Sequence, residues 1–130
     1  MAMKNHKGFT LIEVLMAIFL ITVGIGGSFA LINRIMDFSS VSSDRLQAAY
    51  LAQEGIENVR NTRDSNWLAG NEWNLNLPSG TETGLLGKFN RITTITTPEP
   101  DKIVVSVEVN WQERGRDHRV VAQTELYNWR

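Results

Sequence analysis

Apolar and polar residues are divided unevenly along this chain, with a break near Ile32. From Phe9 to Ile32, 24 consecutive residues carry a single ionisable side chain, Glu13. At a helical rise of about 1.5 Å per residue the run is roughly 36 Å long, enough to cross a hydrocarbon core of about 30 Å with some tilt. After Asn33 polar residues increase, yet a helical pattern persists through Leu46, Ala49, Tyr50, Ile56 and Val59. No proline interrupts it before residues 61–66, so the pattern predicts one long helix whose second half turns an apolar stripe toward a sheet.

Between residues 64 and 88 asparagines, glycines and Pro78 break any period, which predicts an ordered loop anchored by Trp67, Trp73, Leu75 and Leu77. Three strands are expected after it, over 89–97, 102–111 and 118–127. The middle one alternates most clearly: Ile103, Val105, Val107, Val109 and Trp111 share one face, and Ser106, Glu108 and Asn110 the other. Short connectors at 98–101 and at 112–117, around Gly115, suit antiparallel hairpins. The expected fold class is α+β, a three-stranded antiparallel sheet packed on the extension of the apolar helix. Five segments follow: 1–8, 9–32, 33–63, 64–88 and 89–130.

Composition adds exclusions. Thirteen basic and fourteen acidic side chains give a formal charge of −1, with no basic block to follow a phosphate backbone, so direct nucleic acid binding is not expected. Cysteine is absent, which excludes disulfides, thiolate metal sites and cysteine nucleophiles. The two histidines, His6 and His118, are far apart in sequence, and His118 reads as a solvated hairpin residue rather than a general base. No nucleophile motif, phosphate loop or metal constellation is present, and the scattered acids Asp64, Glu72, Glu82, Glu99 and Asp101 lack the spacing of a calcium loop. Neither enzymatic activity nor a cofactor is expected.

The order of parts at the N-terminus carries the functional signal. Lys4 and Lys7 precede the apolar run, which places the short positive end in the cytoplasm and the body outside it. A secretory signal has its small cleavage-site residue after a shorter apolar core. Here the small residue, Gly8, lies before the run, so cleavage after it would remove a basic octapeptide and leave the whole helix on the mature chain. Loss of Lys4 and Lys7 would then take the formal charge from −1 to −3.

The segment Lys7-Gly8-Phe9-Thr10-Leu11-Ile12-Glu13-Val14-Leu15 resembles the signal of type IV prepilins and type II secretion pseudopilins. The resemblance implies cleavage between Gly8 and Phe9 by a membrane-embedded prepilin peptidase, and N-methylation of Phe9. It also implies that Glu13 of one subunit meets the Phe9 amine of its neighbour during assembly. Independent of the resemblance, a carboxylate inside a spanning helix is costly and calls for a partner or for snorkelling to the headgroups. A new α-amino group four residues before it would favour the ionised form.

Within the span, Gly24, Gly26, Gly27 and Ser28 permit close helix packing. The glycines also make this the expected place for unwinding. Residues 48–57 resemble the post-membrane helix of pilins, with Glu54 and Glu57 expected on a solvated face. The absence of proline before Pro78 inclines the reading toward a minor pilin or a pseudopilin. The implied partners are other pilin or pseudopilin subunits, the peptidase, membrane lipid and an inner-membrane platform driven by a cytoplasmic ATPase. Trp67 and Trp73 are candidates for partner contact or for capping the local core. The competing reading is a membrane-anchored extracytoplasmic binding module or adhesin that uses Trp67, Trp73, Trp111 and Trp129.

Overall fold

The computed structural model describes residues 8–128, so Met1 to Lys7 of the expected leader and Trp129 lie outside the described residues. One helix, α1 (Leu11–Leu68), is followed by four strands: β1 (Gly80–Leu85), β2 (Phe89–Glu99), β3 (Lys102–Glu113) and β4 (Arg116–Tyr127). Two compact units divide at Ser40 and Val41.

In the first unit α1 is exposed along its whole length, including Leu11, Ile12, Phe19 and Phe29, as is Phe9 before it. Helical structure continues through Gly24, Gly26 and Gly27, where unwinding was the expectation. Each glycine costs about 1 kcal/mol relative to alanine. Opening the helix in an apolar stretch would strand backbone donors and acceptors with no water to meet them, which costs more. Ser28 Oγ donates back to the Gly24 carbonyl at 2.8 Å, and so satisfies its own hydroxyl within the helix.

The second unit is built by the remainder of α1 and the sheet. Asp44, Ala48, Leu51, Ala52, Gly55, Val59 and Arg63 are the buried positions of that helical stretch, and they recur at the three- and four-residue intervals that keep one face inward. Opposite them lies the inward face of β3, where Ile103, Val105, Val107, Val109 and Trp111 are all buried. Phe89 from β2, Leu126 from β4 and Trp73 from the connecting segment complete the core. The strand order is β1-β2-β3-β4, antiparallel throughout. β3 and β4 pair without a register shift from Lys102↔Tyr127 to Glu113↔Arg116. Their two-residue turn, Arg114-Gly115, has φ of 50° and 74°, the positive values that a hairpin of this length needs to match strand twist.

The expected class, helix on antiparallel sheet, stands, and the sheet has a fourth strand. Residues 64–88 are not all loop: α1 runs on to Leu68, and β1 forms the sheet edge. Gly80-Thr81-Glu82-Thr83-Gly84 is exposed throughout and has no apolar alternation, so pairing to β2 rather than burial makes it a strand.

Gly55 sets how closely α1 approaches the sheet. A Cβ there would stand 2.9 Å from Val107 Cγ1 and 3.1 Å from Arg91 Cδ, and Val107 is fully buried. Gly55→Ala should therefore destabilise the chain by roughly 1–2 kcal/mol despite the better helix propensity of alanine. Adding Val107→Ala should recover part of that loss, a positive coupling readable in a double-mutant cycle of denaturation midpoints. Simple additivity of the two changes would contradict the close approach.

Arg91 stands at an inward position of β2, between Phe89 and Thr93, and is 2% exposed. Its guanidinium reaches the Leu51 carbonyl at 2.9 Å, Glu82 at 2.6 Å and Glu54 at 3.2 Å, which ties α1, β1 and β2 together. Glu54 stands on the solvated face expected of it, its side chain 58% exposed, and from there forms one arm of this cross-link. Glu57 pairs with Arg60 on the same helix.

Candidate processing and assembly site

Thr10 and Glu13 form the start of α1 by exchanging hydrogen bonds. The Glu13 amide donates to the Thr10 carbonyl at 3.1 Å and lies 3.4 Å from the Thr10 hydroxyl oxygen. In return Glu13 Oε2 accepts from the Thr10 backbone N–H and from its Oγ1, both at 2.9 Å. This reciprocal arrangement is a capping box, in which a threonine and a glutamate three residues later satisfy each other's free helix-end donors. The same sequence element thus does local structural work besides any role in assembly.

The box leaves chemistry in reserve. Both Thr10 donors engage Oε2, and Oε1 accepts no hydrogen bond among the described residues. A carboxylate with one oxygen held and one open can take a further cationic donor, such as an ammonium group, without losing its cap. Phe9, directly before the box, is 87% exposed, and among the described residues nothing but its chain neighbours lies within 4 Å of a Cβ added at Gly8. The Gly8–Phe9 bond is therefore open to approach in the described chain.

Replacing Thr10 with valine keeps the shape of the side chain and removes the hydroxyl. Opening of the first turn should become easier by roughly 1 kcal/mol, about fivefold in amide hydrogen exchange at Glu13 and Val14 in micelles. Thr10→Ser should exchange as the parent does. Unchanged exchange in Thr10→Val would show that the box is not what holds this helix end.

Gly24, Gly26 and Gly27 have nothing within 4 Å of an added Cβ, so nothing in the described chain requires them to be small. Trp73 is 8% exposed and belongs to the core, whereas Trp67 is 41% exposed at the end of α1. Trp111 is 3% exposed. His118, expected to be solvated, is half-buried and stacked on Trp111, with ring centroids 5.3 Å apart and planes 20° apart. The packed indole is the reason: it gives the imidazole an apolar face to cover. Among the described residues no three His, Cys, Asp or Glu side chains gather as metal ligands do.

Two charged residues of structural weight escape a reading of the sequence. Besides Arg91, Asp44 is 5% exposed, its Oδ1 2.6 Å from Lys88 Nζ and its Oδ2 buried without a hydrogen bond. The signal for Asp44 is its place four residues before Ala48 on the buried helical face. For Arg91 it is the inward phase shared with Phe89, Thr93 and Ile95.

Among the described residues one helix is long and apolar enough to cross a membrane. Residues 3–29 match the family described as the prokaryotic N-terminal methylation motif. No curated protein and no solved structure matches the chain. The matched residues enclose Gly8, Phe9, Glu13 and the first turns of α1, the helix that goes on to pack against the antiparallel sheet, so the chain joins a prepilin-type N-terminal methylation motif to a pilin-like α+β fold.

Proposed function

We propose that this chain is a structural subunit, a minor pilin or pseudopilin, of a type IV pilus or a type II secretion-like filament. Prepilin peptidase cuts between Gly8 and Phe9, and the new Phe9 amine is methylated. The apolar half of α1 holds the subunit in the cytoplasmic membrane with its sheet outside, until an ATPase-driven platform adds it to the filament. Catalysis has no part in this reading; the work is mechanical, and the subunit supplies helix packing and surface contacts.

The observation that carries the proposal is the conjunction at Glu13. A carboxylate stands within an apolar run, keeps one oxygen for its own helix cap, and leaves the other oxygen open five residues after Gly8, inside the matched motif. On release of Phe9, a neighbouring subunit's ammonium group is a partner of the right charge for the open oxygen. That contact sets axial register between helices, and Gly24, Gly26, Gly27 and Ser28 allow their close approach.

The reading is tested by processing. Gly8→Val, which places a branched side chain on the carbonyl side of the scissile bond, should leave the chain uncleaved and exclude it from sheared filaments. Membrane retention should be unchanged, as read by fractionation and immunoblotting. Cleavage at the parental rate in Gly8→Val would contradict the assignment.

A further inference from the structure

Beyond the filament role, we infer that the end of the second unit where α1 finishes carries a binding site for a neutral carbohydrate. A hollow of about 350 Å³ lies there, lined by Trp67, Asn71, Glu72, Trp73, Asn74 and Asn128. Its size is at the lower end of the roughly 300–1,000 Å³ of small-molecule sites, suited to a short sugar chain rather than a large cofactor.

The lining selects the ligand class. Three asparagine amides both donate and accept, as a sugar hydroxyl does, and Glu72 adds an acceptor. Among the described residues no lysine, arginine or histidine lines the hollow, which argues against phosphate or another anion. Trp67 is 41% exposed, and its open indole surface is of the kind that packs against the C–H side of a pyranose ring. Trp73, at 8% exposure, is a fixed wall held by the core.

The segment that shapes the hollow is ordered from within. Asn66 Nδ2 donates to the carbonyls of Leu75 at 2.6 Å and Trp73 at 3.4 Å, and the Asn71 amide donates to the Asn66 carbonyl at 2.9 Å. These bonds close the loop over the helix end and take up the Asn66 Nδ2 group as donor. The side chains of Asn71, Glu72 and Asn74 remain without a hydrogen bond or ion pair among the described residues. Asn128 spends one donor on Asp101, at 3.2 Å, and keeps its carbonyl oxygen. Unengaged groups of matched polarity around one concavity beside an indole are what distinguishes this hollow from the one lined by Gly55, Asn58 and Arg91. There the one cation among the described lining residues, Arg91, is already shared by two carboxylates.

Titration of the full chain in detergent micelles with cellotriose and with chitotriose, followed by calorimetry and ligand-observed NMR, tests the inference. Saturable binding of at least one of the two is expected. Trp67→Ala should weaken it by about tenfold or more. Asn74→Ala, an exposed change that cannot disturb the core, should weaken it by roughly three- to tenfold with thermal unfolding unchanged. No saturable binding of either sugar, or binding that both substitutions leave intact, would overturn the site. Since the hollow is distant in sequence from Gly8, an uncleaved Gly8→Val chain should bind as well as the parent. Failure here and failure of the filament role are thus read separately.

Discussion

Glu13→Leu is expected to leave the chain in the membrane and cut after Gly8, yet lower its incorporation into filaments by about tenfold or more. Leucine suits an apolar helix better than a carboxylate does, so insertion loses nothing. The loss falls on two interactions. The Thr10 N–H and hydroxyl lose their acceptor, Oε2, and the open Oε1 that would receive a neighbour's amine is gone. Glu13→Gln separates the two, since a glutamine carbonyl still accepts from Thr10 and completes a capping box but carries no charge. The glutamine chain should therefore keep parental amide protection at the helix start and share most of the assembly defect. If it assembled as well as the parent, local capping would be the whole role of Glu13, and the charge pairing would be wrong.

Arg91→Ala is the substitution with the largest expected effect on folding, a loss of roughly 2–4 kcal/mol. The arginine side chain is almost fully buried, so its removal leaves a cavity beside Gly55 and Val107 as well as broken bonds. Glu82 and Glu54 are each about half exposed and regain water, which keeps the loss below that of a wholly buried ion pair. Arg91→Met fills most of the space without the charge and should cost less than alanine. Chemical denaturation of the full chain in micelles measures both, and a cost under about 1 kcal/mol for Arg91→Ala would show that the cross-link is incidental.

The same cluster sets a pH dependence. The hydrogen bond from Arg91, then its charge, holds the Glu82 carboxyl below its ordinary value of 4.5, and partial burial opposes them. A carboxyl whose folded pKa is depressed contributes stability that is present above its unfolded pKa and lost as pH falls through the folded one. The parent should therefore lose stability on acidification below about pH 4.5, more steeply than Arg91→Ala, in which Glu82 has no cation to hold it ionised.

How much of this was legible in the residues varies with the kind of signal. The apolar run, the alternation of β3 and the hairpin at Arg114-Gly115 are periodic or steric features, and each places its element within a few residues. β1 escaped because Gly80-Thr81-Glu82-Thr83-Gly84 buries little and owes its conformation to β2, a partner that its own composition does not reveal. Arg91 and Asp44 escaped for a related reason. Charge is read as exposure, yet both occupy inward positions because Glu54, Glu82 and Lys88, distant in sequence, converge on them. At the N-terminus the order of Gly8, Phe9 and Glu13 gave the processing motif, while the exchange of bonds between Thr10 and Glu13 required the geometry of the helix start. The tryptophans divided by packing: Trp73 and Trp111 went to the core, and Trp67 stayed partly open.

Intact-mass and N-terminal peptide mass spectrometry of the native protein, extracted from membranes of a host with an active prepilin peptidase, tests the central claim most directly. The account predicts a mature chain that begins at Phe9 and carries one added methyl group on its amine. A chain that retains Met1 to Gly8 in that host would contradict it.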